Sequence, residues 1–87
     1  MIYTQSILAA SYCMTVSGKE PDIQLSQINK NENVFVFEDG LLPIYRRYKQ
    51  LTSKRKTLDV DPDKLDKNIG VLKKRCQAFN REINKAM

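Results

Sequence analysis

The side chains of this sequence that could do chemistry are mostly cations, and one half of the chain holds most of them. The 87 residues carry a net charge of +5. Residues 1–44 contribute −3 and residues 45–87 contribute +8. This asymmetry predicts a face that meets phosphate groups or an acidic protein. The alternative is that the cations only form the solvated sides of helices.

Two basic ridges are predicted on helices. Residues 45–57 contain six bases and no acid, with Tyr45 among them as a ring that could stack on a base. A second set repeats every seven residues further along the chain. Such ridges can follow a nucleic-acid backbone. The predicted nucleic-acid-binding residues are Arg46, Arg47, Lys49, Lys54, Arg55, Lys56, Lys67, Lys74 and Arg81.

Catalytic and metal-binding patterns are absent from the sequence. There is no histidine, and the three glycines are isolated, so no His-based catalytic group and no glycine-rich phosphate loop is present. Residues 59–63 open like a calcium loop, but Lys64 and Gly70 stand where that loop needs glycine and glutamate. Helix capping explains those aspartates better. We therefore expect no enzyme, no cofactor and no metal.

The strongest structural signal is a long C-terminal helix, about residues 62–85. Asp61 can cap its start, and Pro62 suits the first helical position. Its apolar residues are spaced by three or four positions, which places them on one helical stripe. That stripe consists of Leu65, Ile69, Leu72, Cys76, Phe79 and Ile83.

The remaining segments predict a single small α+β domain over residues 1–87, in the order α-β-β-α-α. A first helix, about 4–16, has Thr4 as its cap, has Leu8, Tyr12 and Val16 on one face, and ends before Gly18. Two extended runs, about 23–38, form a two-stranded antiparallel hairpin around a polar loop. A further helix follows, about 41–56.

The second strand of the hairpin predicts self-association. Its residues are apolar on both faces, and a two-stranded sheet leaves two unpaired edges. A homodimer or higher oligomer is expected, built on the hairpin and on the apolar end of the last helix. The predicted contact residues are Val34, Phe35, Val36, Phe37, Phe79 and Ile83, together with Met87.

The expected compartment is the cytoplasm. Cys13 and Cys76 share no metal-ligand spacing and fall on apolar helix faces, which is typical of buried thiols. The apolar stretch of residues 7–16 is too short to span a bilayer and has no cation before it. No membrane association is expected.

Several short motifs resemble a family of small phage-borne and bacterial domains that carries a domain-of-unknown-function label. They are the opening residues 3–10, Gly18, the run Val34-Phe35-Val36-Phe37-Glu38-Asp39, and the run 60–64 leading to 72–75. The sequence differs from the family in its longer, more basic segment between Arg46 and Leu58. The resemblance implies the α-β-β-α-α order and a phage or mobile-element setting in a bacterial host cell, and it supplies no catalytic residues.

Two functions are consistent with these observations. The first is a non-enzymatic phage or mobile-element accessory protein that binds DNA or RNA through its basic helices. The second is a protein-interaction module, either a virion or phage-complex subunit or an inhibitor of a host machine. Salt separates them, because phosphate binding weakens steeply as salt rises and an apolar contact changes little.

Overall fold

The computed structural model describes residues 1–26 and 32–86. Its elements are strand β1 (Ile2–Thr4), helix α1 (Ile7–Ser17), strands β2 (Asp22–Leu25) and β3 (Asn33–Phe37), a short 3-10 helix (Asp39–Leu41), and helices α2 (Leu42–Ser53) and α3 (Pro62–Ala86). The α+β class and the long C-terminal helix are confirmed. Most of the predicted polar loop and Met87 lie outside the described residues.

The predicted antiparallel hairpin is present as β2 and β3, and β1 adds a third strand that was not predicted. The strands are all antiparallel in the order β1-β3-β2, with Ile2 opposite Phe37 and Ile23 opposite Phe35. A strand of three residues at the start of the chain is too short for its alternation to be recognised. Because β3 is paired on both sides, the unpaired edges belong to β1 and β2.

The two faces of β3 have different surroundings. Phe35 and Phe37 face the helices and are buried. Val36 faces the other way but is only 4% exposed, because it lies between Tyr3 and Asp22 on the neighbouring strands. Phe35, Val36 and Phe37 are therefore buried within their own chain and cannot form the predicted self-association surface.

Helix α1 starts at Ile7, with Ser6 as its N-cap, two residues after the predicted cap Thr4. The Ser6 hydroxyl accepts a hydrogen bond from the Ala9 N–H at 3.1 Å. The predicted start at Thr4 is wrong because Thr4 pairs with β3 as part of β1. Gly18 ends the helix as predicted, in the left-handed conformation (φ 73°) that glycine adopts without strain.

Helix α1 is the central helix of the domain. Ala9, Ala10 and Cys13 are at most 1% exposed, and α1 packs against both α2 and α3. Its two alanines allow this close approach. Leu8, Tyr12 and Val16 were predicted to share one face, but Tyr12 is buried whereas Leu8 and Val16 are exposed. Because α1 is covered on most sides, it has no single apolar stripe, and the periodicity of its apolar residues therefore does not identify its buried residues.

The core consists of two clusters, both of which include residues of α1. The sheet cluster lies between the sheet and the helices and contains Ile2, Ala10, Cys13, Met14, Phe35, Phe37, Leu41 and Leu72. The tyrosine cluster contains Ala9, Tyr12, Tyr48 and Leu51, with the two tyrosine ring centroids 5.7 Å apart. Of the predicted stripe on α3, Leu72 is fully buried and the other five residues are half-buried.

Candidate nucleic-acid interface

Helix α2 separates an apolar side from a basic side. Tyr48 and Leu51 are buried in the tyrosine cluster and Ile44 is half-buried, as the spacing predicts. Arg46 and Lys49 are exposed three residues apart, so they lie on one face of the helix. The apolar side fixes the helix on α1 and leaves these two cations in solvent.

The basic residues after α2 lie in a turn and not on the helix. The helix ends at Ser53, and the N–H groups of Lys54 and Lys56 donate to the carbonyls of Gln50 and Leu51 at 3.2 and 2.9 Å. Arg55 between them has a left-handed backbone (φ 55°). The prediction of a basic ridge on a helix that reaches about residue 56 is therefore wrong for Lys54, Arg55 and Lys56, which follow the helix. Lys54, Arg55 and Lys56 form a basic turn at the end of α2, where cations favourably meet the negative end of the helix dipole.

One carboxylate, that of Asp59, connects the basic side of α2 to α1. The Tyr12 hydroxyl donates to Asp59 Oδ1 at 2.6 Å, and Arg47 Nε donates to Oδ2 at 3.2 Å. The hydrogen bond from Tyr12 is the main cause of the lowered pKa of Asp59, and the hydrogen bond from Arg47 lowers that pKa further. Burial, together with the bond to Asp59, raises the pKa of Tyr12 to about 12. Arg47 is therefore already paired with Asp59. Nothing in the sequence signals the contact between Tyr12 and Asp59, which are 47 positions apart.

The variant Tyr12→Phe tests this connection, because it removes the hydroxyl and keeps the ring against Tyr48. We expect its melting temperature to be lower by roughly 5 °C at neutral pH, since a hydrogen bond to a carboxylate stabilises the fold. The pKa of Tyr12 is raised from 10.0 to about 12, so this stabilisation is complete below pH 10 and is lost as the pH rises toward 12.

The melting temperatures of the wild type and of Tyr12→Phe should therefore converge above about pH 10. Circular dichroism melts of both proteins at neutral and alkaline pH measure this. A constant difference across that range would contradict the assignment of the hydroxyl as the titrating group.

Tyr45 has a structural role besides any contact with a base. Its half-buried ring packs against both core clusters. The Lys49 ammonium lies 5.4 Å from the ring centroid, within the range of a cation–π contact. These contacts leave only part of the ring available for the predicted stacking, and they hold Lys49 near the middle of the basic side of α2.

The second basic ridge lies on α3 as predicted. Lys67, Lys74 and Arg81 are all exposed and follow one another at seven-residue intervals, about 10.5 Å apart along the axis. None of the three makes an ion pair with an acidic residue of the described chain. Lys67 lies in a shallow cleft beside the end of α1, together with Lys64 and Glu20.

The two basic helices belong to one packed unit. Both α2 and α3 pack on α1, and Leu65 of α3 packs against the tyrosine cluster that holds Tyr48 and Leu51 of α2. The cations of α2, of the basic turn and of α3 are therefore carried by a common core.

The aspartates before α3 have structural roles, as predicted. Asp61 accepts the N–H of Asp63 at 2.9 Å through its side chain and the N–H of Leu65 at 3.0 Å through its carbonyl, which caps the helix. Within residues 1–26 and 32–86, no three His, Cys, Asp or Glu side chains come together where they could hold a metal ion. Cys13 and Cys76 are free thiols, and burial raises the pKa of Cys13 to about 11.

Comparison with models of protein families, with curated proteins and with solved structures found no match to this chain. The resemblance to the phage-borne and bacterial family therefore stays a prediction that rests on the motifs named above. Among the helices that the structure describes, none is both long enough and apolar enough to cross a bilayer.

Proposed function

We propose that this protein is a non-enzymatic nucleic-acid-binding protein that contacts phosphate groups through α2, the basic turn and α3. One observation carries the proposal. All nine predicted cations are exposed, and only Arg47 is paired with an acidic residue of the described chain. The other eight charges are free to exchange their counterions for phosphates.

Such binding depends on charge more than on sequence. Lysine and arginine side chains that neutralise phosphates release condensed counterions, which supplies affinity without reading bases. The arginines among them can offer two N–H groups to one phosphate, whereas the lysines act as mobile point charges. We therefore expect similar affinities for different sequences, and binding to both DNA and RNA.

The proposed setting is a phage or another mobile element inside a bacterial host cell. The motifs that resemble the phage-borne family support this setting. An accessory protein of this kind needs no chemistry of its own. It acts by covering or holding a nucleic acid.

Binding of the wild-type protein to short labelled nucleic acids tests the proposal. Fluorescence anisotropy at about 50 mM salt should show saturable binding to single-stranded and duplex DNA and to RNA, because phosphate-driven affinity is high at low salt. Unrelated sequences of equal length should differ little. Absence of binding to all of these probes under those conditions would contradict the proposal.

A protein-interaction module is the second candidate, and the outer face of the sheet favours it. No helix of the described chain covers this face, and a groove of about 520 Å³ lies there. Tyr3, which lines the groove, is 60% exposed. The described lining residues carry no charge: Tyr3, Thr4, Gln5, Gln24, Leu25, Ser26 and Val34. A partner with apolar side chains would fit this groove, and its binding would depend weakly on salt.

A further inference from the structure

A second groove, of about 550 Å³, lies between β2 and the C-terminal half of α3. Strand β2 is at the edge of the sheet and pairs only with β3, so its outer backbone groups have no strand partner in the described chain. The helix residues of the groove are spaced by three, four and seven positions and share one face of α3. The lining consists of Asp22, Ile23 and Gln24 from β2 and Arg75, Ala78, Phe79 and Glu82 from α3.

The charged groups in this groove have no ion-pair partner among the described residues. Arg75 is half-buried, and its Nη1 is buried without a hydrogen-bond partner in the described chain. Neither Asp22 nor Glu82 makes an ion pair with any described residue, although both line the same groove. A buried guanidinium nitrogen left unpaired destabilises a fold, so a group that accepts its hydrogen bond should be supplied from outside the chain.

The apolar residues beside these charges are also incompletely covered. Phe79 and Ile83 are half-buried yet belong to neither core cluster. Leu25, at the end of β2, is 36% exposed. Ala78 is exposed and small, so it allows a second backbone to approach α3 closely. The groove therefore combines a free strand edge, apolar side chains and unpaired charges of both signs.

We propose that this groove binds the same groove of a second copy, giving a dimer with twofold symmetry. The two β2 strands would pair antiparallel and join the two three-stranded sheets into one sheet of six strands. A twofold axis perpendicular to the sheet keeps both helical layers on the same side. The same axis brings Arg75 of one protomer toward Glu82 of the partner subunit, because both side chains lie on α3 on the helical side of the sheet.

The charges favour a second copy over an unrelated partner. A strongly acidic or strongly basic protein would match one sign in the groove and be repelled by the other. The groove itself carries both signs, so it is complementary to itself after a twofold rotation. A register centred on Asp22 would place two carboxylates opposite each other, whereas one centred on Gln24 pairs Ile23 with Leu25 of the partner subunit.

This dimer keeps the self-association predicted from the sequence but places it elsewhere. The predicted surface was β3, whose Phe35 and Phe37 are buried in the protomer. The edge that is available belongs to β2. Of the residues predicted for self-association, Phe79 and Ile83 on α3 are the ones beside the proposed contact.

Light scattering coupled to size exclusion tests the dimer. At about 100 µM, where even a weak dimer is populated by mass action, the wild type should show twice the 10.1 kDa mass of the chain. Arg75→Glu should raise the dimer dissociation constant by roughly tenfold or more, because it places like charges across the contact. Lys73→Glu makes the same charge change at an exposed position outside the groove and should leave the dimer intact.

Mixing two variants makes the test specific to the proposed pairing. The variant Glu82→Lys changes one exposed side chain and should weaken the dimer by itself as Arg75→Glu does. Combined with Arg75→Glu, it should form a mixed dimer, because every proposed charge pair then has opposite signs. A monomeric wild type, or a Glu82→Lys variant that dimerises as the wild type does, would overturn the proposal even if Arg75→Glu failed to fold.

Discussion

Leu72→Asp should abolish the cooperative unfolding transition of this domain. Leu72 has no exposed surface and lies in the sheet cluster with Phe35 and Phe37. An aspartate there must lose its hydration or take up a proton, and neither state has a partner in that cluster. Such substitutions cost more than about 4 kcal/mol. A domain of this size has a net stability of only a few kcal/mol.

Two further variants separate burial from other effects of the substitution. Lys73→Asp introduces the same residue at the next, exposed position of α3 and should leave the melting temperature within a few degrees of the wild type. Leu72→Ala should cost about 2–5 kcal/mol through the lost contacts and the cavity. Similar melting temperatures for Leu72→Asp and Lys73→Asp would contradict the burial of Leu72 in the sheet cluster.

The triple variant Arg46→Glu/Lys49→Glu/Lys54→Glu should lose nucleic-acid affinity by roughly 100-fold or more at low salt. All three side chains are exposed and unpaired in the described chain, and each reversal replaces a phosphate contact with a repulsion. The fold should survive, because none of the three belongs to either core cluster. Anisotropy titrations with one duplex and one single strand measure the loss.

A matched control keeps the total charge of that variant. Lys64→Glu/Lys73→Glu/Lys85→Glu also reverses three exposed cations; all three lie on α3, and none is among the nine proposed contact residues. Its affinity should fall less, because these cations make no proposed phosphate contact and act on a bound phosphate only through screened charge. Equal losses in the two variants would mean that net charge, and not the side of the molecule formed by α2, determines binding.

The features predicted well from the sequence are those whose cause lies within a few residues. The stripe of α3, the Asp61 cap and the left-handed Gly18 each depend on spacing or on one residue type, and all are present. The periodicity does not show, however, which residues of the α3 stripe are the most buried. Leu72 and Ile69 are equivalent in the pattern, yet the structure buries the first fully and the second by half.

The features that sequence reasoning missed depend on contacts between distant residues. Strand β1 has three residues and exists because β3 offers it a free side to pair with. Helix α1 has no apolar stripe because it is buried on most sides, so its central position could not be read from a pattern of one face. The basic turn follows from where α2 ends, and Arg55 has no residue-type signal for its left-handed backbone.

The candidate site also has features that depend on contacts between distant residues. All nine predicted cations are exposed, as composition and spacing indicated, because lysines and arginines need no tertiary partner to stay in solvent. The sequence could not show that Arg47 is paired with Asp59 and Tyr12, or that Arg75 is half-buried beside the edge of β2. Those distinctions assign Arg47 a role within the fold and exclude Arg75 from the basic ridges.

The salt dependence of nucleic-acid binding tests the central proposal most directly. A titration of wild-type protein against one duplex, repeated from about 50 to about 200 mM salt, gives the slope of log affinity against log salt. If about four or more of the eight unpaired cations contact phosphates, the slope should be about −3.6 or steeper, at roughly −0.9 for each contact. A slope near zero would contradict phosphate-driven binding and would favour the protein-interaction module.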